Sequence, residues 1–348
     1  MAGKAPAKKR KREAGPVGRV TSYDVAAHAG VSQSAVSRVF KPGAHVSKKM
    51  RDRVMKAARE LGYEPNAIAR SLISGRSNLV AVIISNLTNL YYPEVLAQLA
   101  HRFSERGARV LLFALDRESQ VDDALQQVFQ YQVDGAIVAA RLSRAQVDEF
   151  VQRRVPLVFY NRFFQNFPVN AVCCDQVAAA RQLVEGLAAA GHRRFALIKG
   201  PSDSVVGLER VETAAQSIKA LDLELVAELD GDYSYDCAKP AIAQLISGGS
   251  CQADAVICAN DVTAIGAIDV FRFEHGLRVP EDVSVVGFDG VGPARWASFN
   301  LTTVRQPVRR MTEAAVSMLL ELVDDPDRPP EKRLFTGQLI NGNSARLA

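Results

Sequence analysis

From Ser77 onward the chain alternates continuous apolar runs with segments whose apolar positions recur at helical spacing. No other feature narrows the possible folds as far. LVAVIIS, RVLLFAL, DGAIVAA, VPLVFYN and AVCCD read as strands in one half, and RRFALIKG, LELVAEL, DAVICAN and DVSVVGFD as strands in the next. A strand apolar on both faces must be covered on both faces. With amphipathic helices between them, such strands form parallel sheets. Two successions of this kind predict two similar doubly wound lobes.

Residues 1–76 follow other rules. Thr21-x-x-Asp24 is a capping box opening a first helix over 23–29, and Gly30 supplies the sharp turn that ends it. Ser32 caps a second helix, roughly 33–40, which Lys41-Pro42-Gly43 breaks; Ser47 caps a third that ends at Leu61-Gly62. On the third, Val54, Ala57, Ala58 and Leu61 make one apolar stripe on a basic helix. Small residues (Ala26, Ala27, Ala29, Ala35) stand where helices joined by a glycine turn must cross, so residues 20–65 read as a helix-turn-helix.

A basic three-helix bundle with no DNA role would show the same helices, but the charge distribution argues against it. Residues 1–76 hold 17 Lys/Arg against 5 Asp/Glu, a net of +12, whereas the other 272 hold 26 against 33, a net of −7. A basic head on an acidic body seeks a polyanion with the head alone. Residues 1–19 combine Lys and Arg with Ala, Gly and Pro and cannot bury a core. They read as a disordered basic arm that adds nonspecific attraction to phosphate.

Several function classes fall away. No apolar run reaches the roughly eighteen residues needed to span a bilayer. The basic N-terminus lacks the apolar core of a signal peptide, so a cytoplasmic location without membrane partners is expected. Cys173, Cys174, Cys237, Cys251 and Cys258 show no CxxC and no Cys/His ligand spacing. Reduced, buried thiols fit them better than a Cys173–Cys174 redox pair. Neither metal nor cofactor is implied. GxSxG, P-loop and HExxH motifs are absent, and Gly290-Val291-Gly292-Pro293 lacks the full dinucleotide-binding pattern, so an enzyme is not expected.

TSYDVA (21–26), AGVSQSAVSRVF (29–40), HVSKKMRDRV (45–54) and LGYEPNAIARSL (61–72) closely resemble the lactose-repressor (LacI/GalR) family. The likeness continues through VDGAIV (133–138), GHRRFALIKGP (191–201), ANDVTAIGAI (259–268), LRVPEDVSVVGFD (277–289) and LTTVRQP (301–307), and covers about residues 20–345. It implies a sequence-specific bacterial transcription regulator, a repressor of a carbohydrate or sugar-acid utilisation operon. Such a protein grips a palindromic double-stranded operator as a homodimer and is switched by a small molecule. The sensor body implied is the periplasmic sugar-binding fold, two lobes joined by three crossovers. Expected domains are then the arm 1–19, the helix-turn-helix 20–65, a hinge helix and linker 66–76, and the sensor 77–348. Lobe one is expected at about 77–174 with 306–333, and lobe two at about 175–305 with 334–348. No leucine-heptad tail follows the body, so a dimer is expected rather than a tail-assembled tetramer.

By the same resemblance the second helix lies in the major groove. Gln33 and Arg38 suit adenine and guanine edges, with Ser34 beside them. Thr21, Ser32, Ser37, His45 and Ser47 suit the DNA backbone; His45 has no metal-ligand partner nearby. Asn66, Ala69, Arg70 and Leu72 match the family's hinge helix, with Leu72 wedging into the minor groove, Ala69 permitting close approach, and Asn66 and Arg70 reaching groove or phosphate.

Ligands of open α/β folds sit at the carboxyl ends of strands. Asn161 and Arg162 follow VPLVFYN, Asn260 ends VICAN, and Asp289 ends SVVGFD. With Arg210 they match positions that hydrogen-bond the effector in the family, and Tyr91 and Tyr92 match its aromatic pair. Arg141, Arg162 and Lys199 near strand ends suggest an anionic effector, a sugar acid or phosphosugar rather than a neutral sugar.

Overall fold

The computed structural model describes residues 20–40, 44–64, 76–87, 89–115, 121–164 and 166–347. Two compact units divide between Ser77 and Asn78. The basic arm and the hinge residues Asn66, Ala69, Arg70 and Leu72 lie outside the described residues.

The small unit holds α1 (Ser22–Ala29), α2 (Gln33–Val39) and α3 (Lys48–Leu61). The expected caps all form. Thr21 and Asp24 exchange the two bonds of a capping box, while Ser32 and Ser47 accept from the backbone of Ala35 and Met50 at 3.2 and 3.3 Å. Each satisfies an N–H that the first turn leaves without a partner. Gly30 and Gly62 end their helices in the left-handed region (φ 61 and 64), where a Cβ would be strained. The core takes one fully buried valine from each helix, Val25, Val36 and Val54, with Ala26, Ala29, Ala57 and Ala58 closing the crossings. Leu61 packs against this core only partly buried.

The large unit has two six-stranded sheets. The first is built from β1 (Leu79–Ser85), β2 (Arg109–Leu115), β3 (Gly135–Ala139), β4 (Leu157–Tyr160) and β5 (Ala171–Cys174). Between them run α4 (Tyr91–Glu105), α5 (Val121–Gln130) and α6 (Arg144–Gln152). The second sheet begins after α7 (Gln176–Ala189), with β6 (Arg194–Lys199), α8 (Val205–Ala220) and β7 (Glu224–Asp230). α9 (Ala238–Leu245) and a hairpin of β8 (Ile246–Ser247) and β9 (Ser250–Cys251) lead to β10 (Ala255–Cys258). α10 (Asp261–Asp269), β11 (Ser284–Asp289) and β12 (Thr302–Arg305) follow. α11 (Val308–Asp324) and β13 (Lys332–Phe335) return to the first sheet, and β14 (Gln338–Ile340) ends in the second.

Sheet one runs β13-β5-β4-β3-β1-β2, all parallel. Sheet two runs β14-β12-β11-β10-β6-β7, parallel except for β14, which pairs antiparallel with β12. Central strands are apolar on both faces because both are covered: Val80, Val82 and Ile84 of β1 face one core, Ala81 and Ile83 the other. The chain passes between sheets three times, after β5, after β12 and after β13. These passages bring the carboxyl ends of β4, β11 and β12 to one cleft.

Candidate functional site

In the small unit, the apolar side of α2 (Ala35, Val36, Val39) is buried and Ser34, Ser37 and Arg38 are exposed together on the other side. Thr21, Ser32, His45 and Ser47 are exposed as well. Three of these have local duties: Thr21, Ser32 and Ser47 cap helices, and Ser32 Oγ lies 2.9 Å from Ser34 Oγ. Gln33 is half-buried and donates through Nε2 to Ser22 Oγ at 3.2 Å. That bond orients the side chain before anything docks. Tyr23 is 66% exposed on α1, a large aromatic off the buried stripe, and belongs on the list of candidate contacts. Its signal was legible, since Val25, Ala26 and Ala29 define the inner face of α1 and leave Tyr23 outside.

The large unit encloses a cavity of about 630 Å³ between its lobes. Across its floor runs one hydrogen-bonded chain. Tyr160 and Tyr91 hydroxyls lie 3.2 Å apart; Asn161 donates through Nδ2 to Tyr91 Oη at 3.2 Å and to Gln306 Oε1 at 2.7 Å. Gln306 in turn donates to Asp289 Oδ1 at 2.7 Å, and Arg210 Nη2 reaches the same oxygen at 3.0 Å. Asn161 Oδ1 accepts from the backbone of Cys174 at 3.0 Å, which fixes its amide. Gln306 lies in the passage from β12 to α11, so the chain is continuous from lobe one through a crossover into lobe two.

Arg210 and Asp289 form an ion pair with side chains only 3% and 4% exposed. Burial, the largest single influence, opposes the guanidinium's charge, but the Asp289 carboxylate, Tyr233, Cys174 and the hydrogen bond to Asp289 together outweigh it and hold Arg210 above its ordinary value. Burial pushes the Asp289 carboxyl up, while Arg210, Gln306 and Asn89 all donate to it. With a guanidinium at 3.0 Å, the pair stays ionised. Arg210 makes two further bonds: Nε donates to Gln176 Oε1 and Nη1 to the Ala259 carbonyl, each at 2.7 Å, and the guanidinium lies over the Phe288 ring. Asp289 has φ 111, a conformation that disfavours a side chain. The turn after it is clamped by buried Asp261, whose Oδ2 accepts from the backbone of Val291 at 2.8 Å and whose Oδ1 accepts from Thr303 Oγ1.

Of the residues expected to meet the effector, Tyr91, Tyr92, Asn161, Arg162, Arg210 and Asp289 line the cavity. Asn260 and Arg141 do not. Asn260 is fully buried as the cap of α10, accepting from Thr263 N at 3.0 Å, and its amide donates to the Tyr233 carbonyl at 3.4 Å. Its polar atoms are consumed in holding a cavity loop, not in facing the cavity. Arg141 is exposed beyond the end of β3 and is off the wall. Lys199 is also off the wall, paired with Asp230 at 3.2 Å. The cationic cleft anticipated from Arg141, Arg162 and Lys199 therefore does not form; Arg162 alone of the three reaches it.

Three kinds of wall residue went unread in the sequence: the amides Asn89 and Gln306, the ring of Tyr233, and the carboxylates Asp203, Asp232 and Asp236. Tyr233 sits at φ 54 after Asp232 at φ 48, two consecutive left-handed residues. Gly200 and Gly207 vacate the space its ring fills, and its hydroxyl meets Ser204 Oγ at 3.0 Å. The GDYSYD composition was the signal, but it reads as turn before it reads as site.

All five cysteines are free. Burial pushes the Cys173 thiol up to about 12 and Cys174 to about 11, so neither is poised as a thiolate. Among the described residues there is no His/Cys/Asp/Glu cluster that could hold a metal, and no helix is long and apolar enough to cross a membrane.

Comparison with known proteins agrees with both units. Residues 21–66 match the model for bacterial regulatory proteins of the lacI family, and residues 184–345 match a periplasmic binding protein-like domain. The transcriptional regulator AscG of Escherichia coli K12 is 31% identical over 93% of this chain and 98% of its own. The lactose operon repressor of the same strain is 33% identical, over 93% of this chain and 87% of its own. Among solved structures, the lac repressor dimer bound to operator and the anti-inducer ONPF matches with a TM-score of 0.85 at 30% identity, covering 93% of this chain and 98% of that one. A CelR–cellobiose complex matches with a TM-score of 0.69 at 29% identity, covering 94% and 100%. With relatives of this kind aligned over more than nine-tenths of its length, the chain belongs to the lacI family of bacterial regulatory proteins and is a DNA-binding transcriptional regulator, not an enzyme.

Proposed function

We propose that this regulator represses a sugar-utilisation operon in the cytoplasm by gripping a palindromic operator as a homodimer, and that a small polyhydroxylated effector in the interlobe cavity sets its operator affinity. The lac repressor's association as a dimer with operator is the model for the first part, and the CelR–cellobiose complex for the second. Arg38, Ser34 and Gln33 read base edges in the major groove, while Thr21, Ser32, Ser37, His45 and Ser47 hold the phosphate backbone. Asn66, Ala69, Arg70 and Leu72 supply the hinge contacts, Leu72 as a wedge between minor-groove base pairs.

One observation carries the effector half: the Asn161–Gln306–Asp289–Arg210 chain crosses from lobe to lobe along the cavity floor. These amides and charges hydrogen-bond one another. Sugar hydroxyls, each both donor and acceptor, can insert into such a chain without leaving any buried group unpaired. A ligand that re-pairs a chain anchored on both lobes favours one lobe arrangement over another, and differential affinity of that kind is all allostery requires.

The test is binding to the protein's own upstream promoter DNA at fixed salt, with and without a panel of sugars. Tight, palindrome-specific binding altered by one sugar is the expected result. Binding that is weak and indifferent to sequence overturns the operator half, and binding that no sugar alters overturns the effector half.

A further inference from the structure

Resting on the reading of Gln33 as a residue that meets a base edge, we propose that Ser22 sets which base it reads. The serine hydroxyl holds the glutamine amide so that its carbonyl oxygen is left for the groove, and the operator half-site carries adenine at that place. Ser22 itself meets no base; it is a positioning residue that acts through Gln33.

The two side chains stand on a fixed frame. Ser22 is the first residue of α1 and Gln33 the first of α2. Each directly follows a capping residue: Thr21 accepts from the backbone of Asp24, and Ser32 from that of Ala35. Val25 and Ala26 of α1 pack in one core with Val36 and Val39 of α2, which locks the two helix starts against each other. Across that junction Gln33 Nε2 donates to Ser22 Oγ at 3.2 Å, with both residues half-buried. Of Gln33, Ser34 and Arg38, only Gln33 is bonded to another helix among the described residues.

A glutamine amide has a donor end and an acceptor end, and turning it over about its last torsion exchanges them. With one N–H given to Ser22, the amide keeps its second N–H and Oε1 for the groove. Adenine presents a donor, N6–H, beside an acceptor, N7, and matches that pair. Guanine presents two acceptors, thymine an acceptor and a methyl, and cytosine a donor alone. The tether also gives the matched base an advantage. A glutamine held by nothing loses its torsional freedom on docking, whereas one already held has lost it on folding. The gain goes to the base that fits the held amide, and specificity is that difference in affinity.

The test is selection of the operator from randomised duplexes with the full-length protein. Binding at fixed salt to that operator, with each half-site pair changed in turn, then gives the base preferences. Wild type, Ser22→Ala, Gln33→Ala, the double variant and Ser22→Thr are compared. Wild type is expected to choose A·T at one pair of each half-site by roughly fivefold or more, and Gln33→Ala to lose that choice. Ser22→Ala is expected to lose most of it at the same pair and to keep the choices at other pairs. The double variant should lose no more than Gln33→Ala does, and Ser22→Thr, which keeps the hydroxyl, should retain the choice. Thr21, not Ser22, caps α1, so the alanine leaves the capping box in place. Three results with Ser22→Ala overturn the proposal: an unchanged choice, a loss by one factor on every duplex, or a loss that adds to that of Gln33→Ala. A Gln33-dependent pair other than A·T overturns it as well, and leaves base reading by Gln33 standing. If Gln33→Ala alters no base preference, that reading falls and the role of Ser22 with it.

Discussion

Arg210 and Asp289 show what a single buried pair commits the protein to. Each charge has lost nearly all its water, and the pair is tolerable because Gln176, the Ala259 carbonyl and Gln306 hydrogen-bond to it. Asp289→Asn leaves the guanidinium buried without its counter-ion. The expected cost is about 3–5 kcal/mol, read as a lower urea midpoint at unchanged slope. Arg210→Met combined with Asp289→Asn is expected to recover part of that loss; single costs that simply add would mean the two groups are not coupled. Asp289 and Asn161 were legible in the sequence because each stands at the end of a strand that opens on the cleft, and Arg210 through its match to the family's effector-binding positions. Asn260 was legible only as a residue type. An asparagine at a strand end can face a ligand or cap the next helix, and which way its amide points depends on packing. Gln306, before a proline in a crossover, carries no periodicity to mark it.

At the scale of elements, the three helices of the head depend on three valines, one from each, meeting at zero exposure amid alanines. So small a core has little to spare. Val54→Ala removes two methyl groups at its centre and is expected to cost about 2 kcal/mol, counting transfer and cavity. The loss should appear as weakened operator binding on warming, with effector affinity at the same temperature unchanged. Equal loss of both would show that the head does not melt by itself. Caps, turns and doubly buried strands were all readable, because each follows from local chemistry or from a continuous apolar run. Edge position and the last three strands were not. RVLLFAL reads like a central strand, yet β2 closes an edge and exposes Leu112. β12, β13 and β14 are short, the first two at least half polar, and their strand character comes from the neighbours they pair with.

For the whole sensor body, acidity is expected to lower stability through the contact of His192 with the Arg346 carbonyl. His192 is buried, with Nε2 3.3 Å from the Arg346 carbonyl and Nδ1 3.5 Å from Asp254. Burial, with Arg346 adding to it, lowers its pKa below the usual histidine value despite Asp254. The folded state therefore prefers the neutral ring. Stability from this site is full above the unfolded value of about 6.5 and is lost as pH falls through the lower, folded one. Thermal midpoints from pH 8 to 5 should decline for wild type more steeply than for His192→Gln; parallel curves would assign the decline to other groups.

The same topology has a consequence during synthesis. Sheet one is not contiguous in the chain: β5 at residues 171–174 is covered on its outer edge by β13 at residues 332–335. A ribosome makes the second lobe, almost entire, before releasing the strand that completes the first. Until then β5 presents open backbone donors and acceptors, and α11 is not yet there to cover the sheet. The nascent first lobe therefore waits as an unfinished sheet, and the interval between residues 174 and 332 is when this regulator is most exposed to pairing with a neighbouring chain.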